Sequence, residues 1–285
     1  MNIHFRLECP ADYRTVEELT RETFWGFWEP TRKICDEHLL VHRLRTAPSF
    51  VPDLDFVAEL DGKIVGHIIY TKSKVVNDAG QEYETLTFGP LSVLPEYQNK
   101  GIGHALMIHS FDKAKQLGFR AVIIFGYPDY YPRAGFRRAA EFSITTADGH
   151  NFDSFMVHPL YDGALDGIHG RYFLDPIYEQ LTEKDALEFD KQFPSKKPFG
   201  PAPISILLAH LESDARDALE RMGCPSLEMM KTKSEREILS LPGINEQAIE
   251  TIRSVLREHG IRWGRNRETT YKLENQYGGE TKCRI

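Results

Sequence analysis

A strand, a short turn and a helix follow one another in a single stretch of this chain, and that succession constrains its fold more than any other feature. Residues 87–93 are apolar and β-prone, and Pro95 ends the strand because proline has no N–H group to donate to a sheet. From Ile102 apolar residues recur at helical spacing as far as Leu117, and Gly118 supplies a C-terminal stop. The stretch therefore predicts a strand that leads directly into the N-terminus of a helix.

The turn between this strand and this helix has the composition of an anion-binding site. Gly101 and Gly103 carry no Cβ, so a ligand can approach the backbone closely. The free N–H groups and the dipole at a helix N-terminus favour a phosphate or pyrophosphate, and Lys100 adds a positive charge. A kinase-type P-loop is excluded because no Gly-Lys-Ser/Thr follows. The dinucleotide-binding fingerprint fits poorly because it needs Gly-x-Gly-x-x-Gly.

Two motifs in the chain resemble those of the GNAT superfamily of acyl-CoA N-acyltransferases. Residues 89–103 resemble its motif A, in which Gln-x-x-Gly-x-Gly follows a strand, with Gln98, Gly101 and Gly103 at the matching positions. Residues 126–136 resemble its motif B, in which a tyrosine precedes Gly-Phe by four positions.

The order of the predicted elements is also that of the GNAT fold, and the likeness extends over about residues 1–180. Asp61-Gly62 is a strong signal for a hairpin between two of the strands. The elements predicted before the motif A helix are strands at 3–7, 55–60, 63–70 and 82–93, and helices that begin at Cys9-Pro10 and near Lys33. After it come a buried strand at 120–125 and, within 155–170, the last two strands with their connection.

The resemblance implies an α/β fold of the α+β GNAT type over residues 1–193, with a mixed, mostly antiparallel sheet and flanking helices. It implies acetyl-CoA as cosubstrate, no metal, and a primary amine of a small molecule or peptide as acceptor. The strand backbone would face the pantetheine arm and the thioester carbonyl, and the turn amides would bind the pyrophosphate. The residues that it assigns to acetyl-CoA are Leu91, Ser92, Val93, Gln98, Asn99, Lys100, Gly101, Ile102, Gly103 and His104.

The resemblance also suggests the group that protonates the leaving thiolate. Tyr131 matches the family's general acid, and Tyr130 is the alternative; a packing role is the simpler interpretation of either ring. Free tyrosine has a pKa near 10 against about 8.5 for a thiol, so full transfer is slightly uphill. A hydrogen bond that shortens as the C–S bond breaks still accelerates the reaction. This doubled tyrosine looks like one branch of bacterial N-acetyltransferases.

The base that deprotonates the incoming ammonium group is less well defined by the sequence. Some relatives carry a glutamate eleven residues ahead of the motif A glutamine, and that position here is Thr87. Glu84 is the nearest catalytic candidate, with Glu82 beside it. A water relay through backbone carbonyls is the alternative. The aromatic residues of 25–30 are candidates for lining the acceptor site, because in the GNAT fold this segment borders that site; packing in the core is the alternative.

Beyond residue 193 the composition changes. Residues 194–203 contain four prolines and predict a stiff linker, and residues 204–262 predict a small all-α domain, followed by a polar tail at 263–285. Its helices are predicted at 204–210, 214–222, 234–239 and 246–259. This part resembles the helix-hairpin-helix domain at the C-terminus of the bacterial RNA polymerase α subunit.

The residues with which that polymerase domain contacts DNA have no counterpart here. Its arginine and asparagine fall at Asp214 and Asp217, and its glycine-lysine turn falls at residues 245–247. Residues 203–262 hold ten acidic and eight basic side chains, a net charge of −2, whereas phosphate contacts need a positive surface. We therefore expect this domain to bind protein or to dimerise rather than to bind DNA.

Composition limits the compartment and the remaining function classes. The chain carries a net charge of −7, has no apolar run near the length of about 18 residues that spans a membrane, and lacks Cys-x-x-Cys. Its N-terminus has no signal-peptide architecture, so a cytoplasmic protein is expected. The favoured function is N-acetyl transfer. A non-catalytic acyl-CoA sensor and a transcription-associated regulator acting through the C-terminal part are the alternatives.

Overall fold

The structure, a computed structural model, describes residues 3–25, 34–196, 204–224, 226–227, 229–230, 233–259 and 261. The described residues up to 196 form one compact unit, and those from 204 onward form a second. The predicted linker lies outside the described residues at 197–203, and the predicted polar tail lies outside them entirely.

The first unit is a nine-stranded mixed sheet with helices. Its strands are β1 (Ile3–Leu7), β2 (Phe56–Leu60), β3 (Lys63–Val76), β4 (Glu82–Val93), β5 (Ala121–Phe125), β6 (Arg137–Arg138), β7 (Ile144–Thr145), β8 (Phe155–Pro159) and β9 (Gly170–Phe173). Its helices are α1 (Tyr13–Phe24), α2 (Glu37–Leu44), α3 (Ile102–Gln116) and α4 (Glu183–Asp190). The strand order is β1-β2-β3-β4-β5-β8-β6, with β9 pairing with β3 and β7. The β4–β5 and β7–β9 pairs are parallel and the other pairs are antiparallel.

Local sequence signals account for the hairpin and for the end of α3. Asp61 and Gly62 have φ of 50° and 78°, the two positive values that a tight turn between β2 and β3 requires. Gly118, directly after α3, has a φ of 88°, a left-handed conformation that glycine adopts without steric cost. The predictions at these positions are confirmed.

Two predicted elements differ in extent from the observed ones. Strand β3 continues to Val76, beyond its predicted end at Tyr70, because it pairs with β4 and then also with β9. The first helix begins at Tyr13, so the prediction that Pro10 lies in its first turn was wrong. Asp12 does not cap this helix through its side chain, because its carboxylate accepts hydrogen bonds from the Arg6 guanidinium at 2.6 and 3.0 Å.

Apolar side chains pack on both faces of the sheet, and this burial stabilises the fold. The larger cluster, which holds the helices against the sheet, includes Val16, Leu40, Leu44, Ile68, Tyr70, Phe88, Leu106, Met107 and Phe111. A second cluster contains Val75, Ile123, Phe155, Val157 and Tyr172. The strands are thus buried on both sides where β4 and β5 meet.

A buried ionic network ties α2 to the first strands. The Arg45 guanidinium donates to both carboxylate oxygens of Glu8, at 2.7 and 2.9 Å, and to Glu17 at 2.8 Å. The side chains of Arg45 and Glu8 are 3% and 0% exposed. Asp55 lies next in the network, with its carboxylate oxygen 2.8 Å from Nε2 of His67. Since a charge in the interior needs a partner, each member depends on the others.

The network is short of positive charge, and the pKa values of its members reflect this. Burial is the main cause that raises the pKa of Glu8 to about 7 and that of Asp55 to about 6. Burial also lowers the pKa of His67 to about 4, so the imidazole is neutral. The neighbouring Glu8 and Asp55 carboxyl groups therefore share a proton at pH values where free carboxyl groups have lost theirs.

This raised pKa predicts a pH dependence of stability. A carboxyl group whose pKa is raised on folding stabilises most below its unfolded value, near 4.5, and this contribution is lost as the pH rises through about 7. Between pH 5 and 8 the free energy of unfolding of the wild type should therefore fall by about 2–3 kcal/mol more than that of Glu8→Gln. Urea titrations at several pH values measure this difference. Parallel pH profiles of the two proteins would contradict it.

The described residues of the second unit form four helices around their own apolar cluster. They are α5 (Ser205–Leu208), α6 (Ser213–Met222), α7 (Glu235–Leu239) and α8 (Glu246–Glu258), and their core includes Leu207, Leu219, Ile238, Ile249, Ile252 and Leu256. Ser234 caps α7 and Asn245 caps α8 through side-chain oxygens that accept main-chain N–H bonds. Gly243 has a φ of 96°, and a Cβ there would lie 2.5 Å from the Asp214 carbonyl oxygen. The helix-hairpin-helix assignment stays a prediction.

Candidate functional site

The N-terminus of α3 presents free main-chain donors next to a glycine turn. Gly101 precedes the helix with a φ of 83°, and the first bond inside the helix runs from the Ala105 N–H to the Gly101 carbonyl at 2.9 Å. The N–H groups of Ile102, Gly103 and His104 come before that bond, so they have no acceptor within the helix. A Cβ at Gly101 would meet open space. The turn therefore has both the donors and the room for an anion.

Two polar side chains of the turn donate hydrogen bonds to nearby main-chain carbonyl groups. The Gln98 amide donates to the Val93 carbonyl at 3.0 Å, and the Lys100 ammonium donates to the Glu96 carbonyl at 2.7 Å. Lys100 also lies 5.0 Å from the centre of the Tyr97 ring. The mobile charge predicted at Lys100 is thus tethered in this structure. Gln98 and Asn99 lie beside the helix terminus, and Asn99 has a φ of 62°.

At the end of β4, successive residues direct their main-chain N–H and C=O groups to opposite sides of the strand. The Leu94 N–H bonds to the Val65 carbonyl on β3 at 3.0 Å. Since main-chain groups alternate in direction along a strand, Ser92 also directs its polar groups to β3, while Leu91 and Val93 direct theirs to the opposite edge. The Ser92 hydroxyl is buried and bonds to Thr20 on α1 at 3.1 Å. Of the three strand residues predicted to bind, Leu91 and Val93 have the suitable orientation.

The opposite edge of β4 separates from its neighbour where these groups emerge. Within residues 34–196, the parallel β4–β5 ladder pairs Leu86 with Val122 and no further partners. Beyond that pair β5 continues alongside β8 as far as Phe125, and β4 continues toward the glycine turn. Pro90 lies in this part of β4, at an irregularity in the ladder, and has no N–H to donate. The separation exposes main-chain donors of Leu91 and Val93 to a ligand.

Tyr131 lies at the place where β4 and β5 separate. Its ring centre is 6.0 Å from that of Phe88 on β4 and 5.5 Å from that of Phe136. On the other side the ring lies against Gly126, the residue directly after β5, where a Cβ would overlap it. Tyr131 is 4% exposed, and its burial is the main cause that raises the pKa of the phenol. The hydroxyl therefore stays protonated and can act as a hydrogen-bond donor.

Tyr130 reaches the glycine turn instead. A Cβ added to Gly103 would lie 3.1 Å from the Tyr130 hydroxyl oxygen, so the phenol lies directly against the first turn of α3. The Tyr130 ring packs edge-on against that of Tyr131, with centres 5.1 Å apart. The sequence places the two tyrosines side by side without indicating that one lies against α3 and the other against Phe88.

The proposed base lies away from these groups. Glu84 is an exposed residue near the start of β4, and its carboxylate pairs with the Lys72 ammonium at 3.0 Å. Thr87 lies at the position where some relatives carry the glutamate base. It is buried, with 2% of its surface exposed, and it contacts the Tyr172 hydroxyl. The structure thus brings together the glycine turn, the end of β4 and the two tyrosines, and it does not bring Glu84 to them.

The aromatic segment predicted at 25–30 is described only at Trp25. The Arg21 guanidinium lies 4.3 Å from the centre of the Trp25 ring. Arg21 also forms a two-pronged ion pair with Asp190 of α4, at 2.5 and 2.9 Å. The remaining residues of that segment lie outside the described residues.

One group of side chains has the ligand types that metals prefer. Donor atoms of Glu8, Asp55 and His67 lie within 4.8 Å of one another. Arg45, however, donates to both oxygens of Glu8, so this carboxylate is engaged in an ion pair rather than free as a ligand. In the described parts of the chain, no helix combines the length and the apolar composition that crossing a bilayer requires.

Comparisons with known proteins agree with this geometry. A model of the acetyltransferase (GNAT) family matches residues 17–136. The chain is 30% identical over 166 residues to the uncharacterized N-acetyltransferase YhbS of Escherichia coli K12, covering 58% of this chain and 92% of that protein. It is 34% identical over 143 residues to the uncharacterized N-acetyltransferase YjhQ of the same strain, covering 49% of this chain and 74% of the relative.

The crystal structure of E. coli YhbS in complex with CoA superimposes with a TM-score of 0.54 and 26% identity. The match covers 64% of this chain and 94% of that chain. The similarity therefore covers nearly the whole of YhbS. Because the chain is 30% identical to YhbS over 92% of the length of that protein, it belongs to the acetyltransferase (GNAT) family.

Proposed function

We propose that this chain transfers an acetyl group from acetyl-CoA to a primary amine of a small molecule or peptide. The observation that carries the proposal is the junction of the free helix N-terminus with the separated end of β4. Acetyl-CoA supplies an activated thioester and a pyrophosphate at opposite ends of an extended arm. The chain offers free helix donors at the start of α3 and, beside them, the open edge of β4.

The glycine turn fits the pyrophosphate. The N–H groups of Ile102, Gly103 and His104 and the positive end of the α3 dipole favour an anion. Leu91 and Val93 offer strand edges to the pantetheine amides. An N–H donor at this edge would stabilise the negative charge that develops on the thioester carbonyl during attack. Sequence similarity to YhbS, whose structure holds CoA, supports the same assignment.

Tyr131 is the group best placed to assist departure of the thiolate. Its buried ring lies at the point where β4 and β5 separate, between Phe88 and Gly126. Because burial raises the pKa of the phenol, Tyr131 would stabilise the thiolate by donating a hydrogen bond as the C–S bond breaks. The ion pair and exposure of Glu84 favour the water relay over Glu84 as the route for the amine proton. A cytoplasmic location stays a prediction from the sequence.

Substitutions in the turn should separate donor binding from folding. Gly103→Val would place branched carbon atoms against the Tyr130 hydroxyl and over the helix donors, so the Kd for acetyl-CoA should rise at least tenfold, about 1.4 kcal/mol. Calorimetry with acetyl-CoA measures this change. Ile108→Val is the matched control, since Ile108 lies on the same helix and is 42% exposed. Equal affinity in wild type and Gly103→Val would remove the turn from the binding site.

We further propose that the second unit binds protein or a second copy of itself rather than DNA. Asp214, Asp217 and Glu246 are all exposed, which places carboxylates where phosphate contacts would be needed. Duplex DNA titrated with the full chain at low salt should show no saturable binding below about 10 µM. Micromolar, salt-sensitive binding would contradict this expectation and favour the transcription-associated alternative.

A further inference from the structure

Tyr130 occupies a position that the transfer reaction, as described above, leaves without a role. Its hydroxyl lies against Gly103, the second residue of α3, and the Gly103 main chain carries one of the free helix donors. Tyr131, the neighbouring ring, lies at Phe88 instead. The Tyr130 hydroxyl oxygen therefore lies beside the start of α3, whereas the Tyr131 ring lies beside Phe88, near the point where β4 and β5 separate.

The Tyr130 hydroxyl is available to a ligand. Among the hydrogen bonds of residues 34–196, none involves this oxygen, and the residue is 38% exposed. Its ring is nevertheless held in place, because it packs edge-on against the buried ring of Tyr131. Burial raises the pKa of the Tyr130 phenol, so the group is protonated at neutral pH and donates. A fixed donor with a free hydrogen bond beside a helix N-terminus is suited to a phosphate oxygen.

We propose that Tyr130 is a binding residue for the pyrophosphate of the acyl donor, and that its hydroxyl completes the ring of donors formed by the first turn of α3. This inference rests on the proposed function. It assigns the doubled tyrosine two separate tasks: Tyr130 binds the phosphate end of the donor and Tyr131 serves the thiol end. Tyr130 is thus a determinant of the choice of CoA thioesters over thioesters that lack a phosphate.

The first test is calorimetric titration of wild type and Tyr130→Phe with CoA. A hydrogen bond to a charged acceptor is lost in the variant, so the Kd should rise about tenfold. Tyr161→Phe is the matched control, because Tyr161 is also 38% exposed and lies on the loop after β8. The control should bind CoA as the wild type does. Equal Kd values for wild type and Tyr130→Phe would overturn the inference.

The second test replaces acetyl-CoA by S-acetylpantetheine, which keeps the thioester and lacks the pyrophosphate. Tyr130→Phe should lower kcat/KM about tenfold with acetyl-CoA and leave it within about twofold with S-acetylpantetheine. An equal loss with both donors would contradict a phosphate contact, as would a loss confined to kcat. If the wild type itself does not bind CoA, the proposed function is wrong. If the wild type binds CoA and Tyr130→Phe binds it equally well, only the inference about Tyr130 is wrong.

Discussion

Replacing Tyr131 by phenylalanine is expected to lower kcat about a hundredfold and to leave the Kd for acetyl-CoA within about twofold. The change removes only the hydroxyl, which would donate to the departing thiolate and would contribute little before the C–S bond weakens. The ring contacts with Phe88 and Phe136 remain, so the fold should not change. The measurement is steady-state release of free thiol with any acceptor amine that the wild type uses, together with calorimetry.

Tyr178→Phe provides the matched control for this experiment. Tyr178 is 3% exposed, close to the 4% of Tyr131, and its hydroxyl bonds to Thr71 at 3.0 Å. It should lose some stability and keep its kcat. Wild-type turnover in Tyr131→Phe would assign that ring to packing. A rise in Kd with unchanged kcat would instead give Tyr131 a binding role.

The second large effect is expected on stability, from Arg45→Ala. The substitution leaves Glu8 and Glu17 buried without their shared positive partner, and breaking a buried ion pair in this way costs about 3–5 kcal/mol. Loss of the guanidinium stack on the Tyr13 ring, at 4.1 Å, adds to the cost. Because Glu8 can take up a proton once Arg45 is absent, the loss should be larger at pH 8 than at pH 5. Urea unfolding followed by far-UV circular dichroism measures both.

Arg43→Ala tests whether burial is the cause. Arg43 lies two residues earlier, in the last turn of α2, and pairs with Asp185 at 3.2 Å, but both side chains are more than a third exposed. An exposed pair of this kind contributes little, so Arg43→Ala should unfold close to the wild-type urea midpoint. Similar losses in the two variants would contradict the account of the buried network.

Local backbone requirements were the part of the fold that the sequence predicted well. Asp61-Gly62 and Gly118 mark positions where the chain needs a positive φ, and all three residues have one. Such requirements act within a few residues, so they can be recognised without knowing what packs nearby. The hairpin and the end of α3 could be located from them.

Contacts between distant residues could not be predicted in this way. Arg21 pairs with Asp190 across 169 positions, and nothing in either local pattern names the partner. The length of β3 depends on β9, which joins it from nearly a hundred residues later along the chain, and Pro90 is tolerated inside β4 only at a ladder irregularity. These features follow from tertiary packing, which overrides local preference.

The candidate site likewise combines features that local sequence predicts with features that depend on contacts between distant residues. Motif spacing predicts the glycine turn and Tyr131 as site residues. Strand alternation directs the main-chain groups of Ser92 to β3 rather than to the open edge, since Leu94 bonds to Val65. Glu84 was chosen for its closeness in sequence to Thr87. Its carboxylate is committed to Lys72, a residue of the paired strand β3. The position of Tyr130 against Gly103 could not be predicted from the sequence and is seen only in the folded structure.

The central claim is that the chain acetylates an amine, and one assay tests it most directly. Wild type and Tyr131→Phe are incubated with acetyl-CoA and a panel of amino acids, polyamines, aminoglycosides and N-terminal peptides, with free thiol and product mass recorded. The account predicts that at least one amine raises thiol release by the wild type above the amine-free rate, with an acetylated product, and that Tyr131→Phe lowers this rate about a hundredfold. Tight acetyl-CoA binding without amine-dependent thiol release from any member of the panel would contradict it and favour the sensor alternative.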